Sequence, residues 1–186
     1  IGCGDDDSPA DGGGDVEHGD HGNEGDDHDK KDSGPSASDD AGSDEDDAGT
    51  KAELSFFVTS DTSKTGNLGG LTGADARCNQ LAKAAGAKAK FAAYLSAEKN
   101  EKGEDKPVDA RDRIGKGPWY NAKGVLLAKD VEALHKLPSG NAEIFLTEKG
   151  GKINGQWEGS PTPIEHDVLT GSDAAGKLRA GFTCRS

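Results

Sequence analysis

The chain has 186 residues, 28 of them glycine, and a formal net charge of −13 that is concentrated at one end. Residues 1–50 carry 18 acidic side chains against 2 lysines, whereas the remaining 17 acidic and 20 basic side chains give residues 51–186 a net charge of +3. No apolar run approaches the roughly 20 residues of a membrane-spanning helix, and the weakly positive part has no dense stripe of Lys and Arg. These properties argue against a transmembrane protein and against binding to nucleic acid.

The chain opens with Ile1, Gly2 and Cys3, followed by a glycine and three aspartates. This order is similar to the end of a bacterial lipobox, in which an aliphatic and a small residue precede the cysteine that receives lipid. The similarity predicts a removed signal peptide, a lipid on Cys3 and attachment to the membrane through that lipid. Gly4, directly after the cysteine, favours the outer membrane. The alternative is an incidental cysteine beside a cloning boundary.

Residues 1–50 contain no aromatic residue and few apolar ones. Burial of so little apolar surface cannot offset the entropy lost on folding, so we predict a disordered, self-repelling acidic tether. His18, His21 and His28 lie among its carboxylates and suit a divalent transition metal. Their spacing matches no defined site, and a solvated polyanion that binds cations loosely is the alternative.

Residues 51–186 are enough for one ordinary domain and hold every aromatic residue of the chain. The alternating stretch 52–60 predicts the first strand. The glycine-rich stretch 64–73 has neither the Gly-Lys-Ser/Thr of a P-loop nor the spaced glycines of a dinucleotide site, so it predicts an ordinary loop.

A helix is predicted over residues 72–86. Thr72 is a natural N-cap, Asp75 completes a capping box, and Gly86 follows as a C-terminal stop. Apolar residues recur at helical spacing on one face, which would bury them: Ala74, Cys78, Leu81 and Ala85.

The later elements are shorter. Residues 91–96 and 142–150 predict strands, residues 125–135 predict a strand end that runs into a short helix, and residues 155–167 predict a long loop with prolines. Residues 168–184 predict a short strand, a loop and the start of a last strand. The pattern as a whole indicates an α+β domain with long irregular loops.

Three stretches resemble an uncharacterised family of bacterial extracellular domains with a C-type-lectin-like fold. They are FFVTS, TGNLGGLTGADARC and VLTGSDAAGKLRAGFTC, and the likeness covers about residues 54–184. The resemblance implies a C-type-lectin-like domain over residues 51–186. The family has Trp where this chain has Leu169 and continues beyond its Thr-Cys, whereas this sequence stops at Ser186, so we expect a C-terminal truncation or a short member.

The cysteines leave two arrangements open. If Cys3 carries lipid, Cys78 and Cys184 remain as a pair for a disulfide in an oxidising compartment. In a complete family member, either of these two residues could instead pair with a cysteine that this sequence lacks.

These features favour a surface-anchored lipoprotein, without enzymatic activity, that binds glycans or extracellular proteins in adhesion and resides at the bacterial outer membrane or cell surface. Lectin-like domains use late loops for recognition, so the resemblance implies a ligand site at Trp157, Glu158, Glu165 and Asp167. Carboxylates suit Ca²⁺, but the Glu-Pro-Asn and Gln-Pro-Asp signatures of calcium-dependent lectins are missing, so we expect weak or absent calcium binding and no cofactor. Trp157 either stacks on a sugar or belongs to the core.

Two other function classes stay open. A structural or cation-gathering envelope lipoprotein would use the acidic segment itself. A hydrolytic enzyme would draw on Cys78, His135, His166 and Asp167, but the nucleophile-elbow and zinc-protease motifs are absent from the sequence.

Overall fold

The structure is a computed structural model that describes residues 1–6, 52–138, 141–155, 157–165 and 167–183. These residues form a small mixed α/β domain with few helices and small antiparallel sheets. Its elements in chain order are β1 (Gly2–Asp5), β2 (Phe56–Val58), α1 (Gly70–Ala84), β3 (Phe91–Ala93), a 3₁₀ turn (Ala110–Asp112), β4 (Trp119–Tyr120), β5 (Leu126–Ala128) and α2 (Val131–Leu134).

Strand β1 is the middle strand of a three-stranded antiparallel sheet with the order β2-β1-β3. Cys3 stands opposite Phe57 on one side and Ala93 on the other, and its side chain is fully buried. The prediction that the acidic tether starts at residue 1 is therefore wrong for residues 1–6. The rest of that prediction, and the three tail histidines, fall outside the described residues.

The glycine that follows Cys3 has a packing reason. A Cβ on Gly4 would lie 2.6 Å from Cγ2 and 2.8 Å from Cβ of Ile114, closer than real Cβ atoms approach their neighbours. Glycine is thus required where the strand passes Ile114, and the Gly-Cys-Gly pattern belongs to a buried strand.

Because β1 and β2 are antiparallel neighbours, the acidic segment of residues 7–51 connects two adjacent strands. The backbone N–H of Asp5 donates to Ser55 O at 2.8 Å, just where the chain leaves β1 and before it enters β2. The segment is thus held to the domain at both ends.

Helix α1 packs against this sheet and buries Leu71, Ala74, Cys78 and Ala82. The rings of Phe57 and Phe91 meet edge to face beneath it, with centroids 5.3 Å apart. Burial of Ala74 and Cys78 confirms part of the predicted face. Leu81 is only half-buried against the core, and Ala85 is exposed after the helix end.

The predicted capping box is wrong. Helix α1 begins at Gly70, two residues before Thr72, and its N-cap is Gly69, which adopts a left-handed φ of 75° without a side-chain cap from the described residues. The carboxylate of Asp75 instead accepts a hydrogen bond from Ala93 N at 2.7 Å and pairs with Arg113 at 2.6 Å. Asp75 therefore links the helix to β3.

A second core surrounds the fully buried Trp119 and includes the buried side chains of Ile114, Leu127 and Leu134. The predicted strand end and short helix at 125–135 are confirmed as β5 and α2. Asp130 caps α2 by accepting from Ala133 N at 2.7 Å.

Residues 142–150 and 168–184 were predicted to contain strands, and this is wrong for their described parts. Only isolated bridges occur there, between Val58 and Thr147, between Leu146 and Lys152, and between Ser172 and Leu178. The late part of the domain consists of loops.

Candidate functional site

A disulfide joins Cys3 to Cys78, with Cα atoms 5.7 Å apart, and ties the central strand to α1. A sulfur held in a disulfide cannot also carry a thioether-linked lipid, so the structure contradicts lipidation at Cys3. It also contradicts a bridge between Cys78 and Cys184, because Cys78 already has a partner; Cys184 itself is outside the described residues. Within the described part of the chain, no helix has both the length and the apolar character needed to cross a membrane.

A groove of about 1150 Å³ is lined by an early wall, by a late wall and by residues of the stretch 95–103, which lies between those walls in the chain. The early wall comprises residues 61–72, which include the glycine-rich loop and the start of α1. The late wall comprises residues 167–171 and 181–183, with Glu165 just before it. The groove is slightly larger than a typical ligand pocket of about 300–1,000 Å³, which suits an extended ligand or part of a protein.

The late wall exposes large apolar side chains. Leu169 is 80% exposed, Phe182 is 62% exposed and Val168 is 39% exposed. The guanidinium of Arg179 stacks on the Phe182 ring, 3.8 Å from its centroid, so one ring face is covered. Exposed apolar side chains clustered beside a groove are typical of an interaction site.

The early wall is polar and ordered by its own side chains. Gly69 N donates to Asn67 Oδ1 at 2.9 Å, and Gly66 N donates to Ser63 Oγ at 3.1 Å. Arg77, in the middle of α1, pairs with Asp61 at 2.7 Å. The groove therefore combines a hydrogen-bonding early wall with an apolar late wall, and residues of the stretch 95–103 complete its lining.

The predicted ligand residues fall into two groups. Glu165 and Asp167 are exposed and line the groove. Trp157 and Glu158 lie apart from the groove lining on the preceding loop, where both are exposed. In the described part of the chain, no three His, Cys, Asp or Glu side chains lie close enough together to hold a metal ion.

Trp157 is 38% exposed, which contradicts its alternative placement in the core; the core tryptophan is Trp119. The Lys152 ammonium lies 5.8 Å from the centroid of the Trp157 ring, within the range of a cation–π contact. Part of this indole is thus available to a ligand.

The loop that carries Trp157 is closed by its own hydrogen bonds. Asn154 Nδ2 donates to Pro163 O at 2.7 Å, and the Ser160 hydroxyl donates to Asn154 Oδ1 at 2.6 Å. Ser160 N also donates to Trp157 O at 3.2 Å. Sequence reasoning missed this closure, although the Asn-Gly pair and the nearby prolines are turn signals.

The described candidate catalytic residues lie in different parts of the fold. Cys78 is in the disulfide, Asp167 lines the groove, and His166 is outside the described residues. His135 Nδ1 lies 2.6 Å from Val131 O, which can only accept, so this nitrogen carries the hydrogen. In the neutral ring Nε2 then accepts from the Tyr94 hydroxyl at 2.6 Å, and burial raises the pKa of Tyr94 to about 12.

Comparison of the chain with protein-family models, curated proteins and solved structures found no match.

Proposed function

We propose that the protein is an extracytoplasmic binding module that holds part of an extracellular protein in the groove. The observation that carries this proposal is the exposure of Leu169, Phe182 and Val168 on one wall of the groove. Water solvates these side chains poorly, and a partner that covered them would gain roughly 25 cal/mol for each Å² of apolar surface removed from water.

The location is argued from the disulfide. A buried disulfide between a central strand and a helix suits an oxidising compartment, which supports a position outside the cytoplasm. The proposal does not use a lipid on Cys3.

The C-type-lectin-like fold is part of the same proposal. A helix packed on a small antiparallel sheet, a disulfide into that helix and recognition loops late in the chain all support it. Fold analogy says little about the ligand, so the ligand class is argued from the groove alone.

A glycan is the second candidate ligand, and exposed Trp157 is the observation that favours it. An indole face can stack on a sugar ring, and the hydrogen bonds that close its loop hold Trp157 in place. This ligand would contact Trp157 and Glu158 instead of the groove.

The test is binding of the full chain to panels of extracellular proteins and of glycans, followed by titration of each hit. Leu169→Ser with Phe182→Ser should weaken a protein hit about tenfold or more, because truncated interface anchors cost over about 1.4 kcal/mol. Leu126→Ser is the matched control, since Leu126 is 48% exposed outside the groove.

A glycan hit that Trp157→Ala abolishes, with the groove variant unaffected, would favour the second candidate. Hits that tolerate both the groove variant and Trp157→Ala would refute both sites.

A further inference from the structure

The sequence contains one Asn-Gly pair, Asn154-Gly155, and it begins the loop that carries Trp157. In such pairs the glycine nitrogen can attack the asparagine amide carbon, because no side chain on the next residue obstructs the approach. Gly155 has a φ of 87°, where a residue with a side chain would be strained, so the turn itself requires the glycine of this labile pair.

The Ser160 hydroxyl bridges the two groups that such an attack would join. Its oxygen accepts a hydrogen bond from Gly155 N–H, and its hydrogen points to Asn154 Oδ1 at 2.6 Å. The same hydroxyl therefore contacts both the nucleophilic nitrogen and the oxygen of the amide under attack. Asn154, Gly155 and Ser160 are all half-buried, with exposed residues between them in the loop.

We propose that Asn154 is a self-modification site at which Ser160 relays a proton. As Gly155 N bonds to Asn154 Cγ, the N–H proton passes to Ser160 Oγ, and the Ser160 proton passes to Asn154 Oδ1. The product is a tetrahedral carbon that carries a hydroxyl and the original amino group. Serine is regenerated, so it acts as a general acid–base group in this step.

The second step releases ammonia. The hydroxyl proton transfers to the amino group, the Cγ=O double bond re-forms, and the C–N bond to Asn154 Nδ2 breaks to leave a cyclic imide. Water then opens either imide carbonyl and yields aspartate or isoaspartate at position 154. Water is the only co-reactant, and nothing is oxidised or reduced.

The modification would open the loop. Asn154 Nδ2 is the donor that closes it onto Pro163 O at 2.7 Å, and the product has a carboxylate in its place. A carboxylate cannot donate, and it would face a carbonyl oxygen. The hydrogen bond would be lost, and with it the closure that positions Trp157. The chemistry itself does not depend on the proposed function.

The experiment incubates the full chain in neutral and mildly alkaline buffer and follows the peptide that contains residue 154 by mass mapping and isoaspartate detection. We expect conversion in the folded chain to be faster than in the same chain unfolded in urea. Ser160→Ala should slow conversion of the folded chain about tenfold or more, a modest effect for a positioned acid–base group. Asn154→Gln should show no conversion in this peptide.

Ser63→Ala is the matched control, because Ser63 Oγ also accepts from a glycine N–H, that of Gly66, but lies next to no Asn-Gly pair. It should leave the rate unchanged. If Ser160→Ala reacts as fast as the original chain or faster, the hydroxyl restrains Gly155 and the proposal is wrong. Slower conversion in the folded than in the unfolded chain would overturn it independently of any variant.

Discussion

In the sheet and α1 the large side chains Phe57 and Phe91 are buried, whereas in the loops after residue 151 Leu169, Ile164 and Phe182 are more than 60% exposed. The first region is held by β pairing, the Cys3–Cys78 disulfide and Arg113. The loops are held by local hydrogen bonds such as those of Asn154 and Ser160, and by hydrogen bonds to earlier segments, such as the one from Leu178 N to Asp109 Oδ1 at 2.7 Å. A rigid scaffold that carries adaptable loops is a common arrangement for recognition, because the loops can vary without cost to the core.

The largest expected effect comes from removing the disulfide. Cys3→Ser with Cys78→Ser should lower the free energy of unfolding by about 4 kcal/mol, because the bridge closes a loop across a sequence separation of 75. Urea denaturation would measure this loss. Cys184→Ser, the control, should leave stability nearly unchanged. Peptide mapping that found Cys78 joined to Cys184 would contradict the scaffold described above.

The next largest loss of stability should come from removing a buried ion pair, and it can be compared with the loss from an exposed ion pair. The Arg113 side chain is 6% exposed and contacts Asp75, Glu101 and the Ala93 carbonyl, so Arg113→Met should cost about 3 kcal/mol by leaving the Asp75 carboxylate with less compensation.

The control for this pair is Lys152→Met, which removes the contact with Glu143 in the loop region. Glu143 is 69% exposed in this pair, and exposed pairs contribute about 0–1 kcal/mol. Equal losses for the two variants, measured by thermal and urea unfolding, would show that the loop region is as tightly coupled as the scaffold.

The first strand shows why part of this scaffold was not predicted. Ile1-Gly2-Cys3 is similar to the end of a lipobox and is also compatible with a strand, and the partners that decide between them, Phe57 and Ala93, come more than 50 residues later in the chain. Burial of Cys78 and the short helix α2 depend on local spacing and capping, and these were predicted correctly.

The residues of the candidate site also divide into those that the sequence analysis named and those that it missed. Glu165 and Asp167, which line the groove, were named from the sequence because carboxylates in a late loop are easily recognised, and their role in binding stays a prediction. Leu169 and Phe182 were missed because an apolar residue looks the same in sequence whether it is buried or exposed. Their exposure depends on how loops from both ends of the domain meet around the groove.

A smaller change in stability is expected at the contact between Tyr94, which follows β3, and His135, which follows α2. Burial raises the pKa of Tyr94 from 10.0 to about 12, so between these values the unfolded chain loses the proton while the folded chain keeps it. Stability should therefore fall as pH rises from about 10 to 12. Urea midpoints across this window would show the fall, and Tyr94→Phe should reduce it. Tyr120→Phe keeps Tyr94 and should retain it; an identical slope in both variants would exclude Tyr94 as the cause.

The smallest expected effect concerns the acidic segment, which the strand order makes a connection between β1 and β2. Deleting residues 13–46 leaves about a quarter of residues 7–51. Composition predicts that this segment is disordered, and each halving of such a loop lowers its closure cost by about 0.6 kcal/mol, so the variant should be more stable by about 1 kcal/mol. A free tether attached at one end would close no loop, and its deletion would not change stability in this way.

Urea denaturation at high salt, where repulsion among the aspartates is screened, would isolate the effect of loop length. A variant that lost stability would show that the acidic segment contributes contacts to the fold, and the contrast between scaffold and loops would then have to include it.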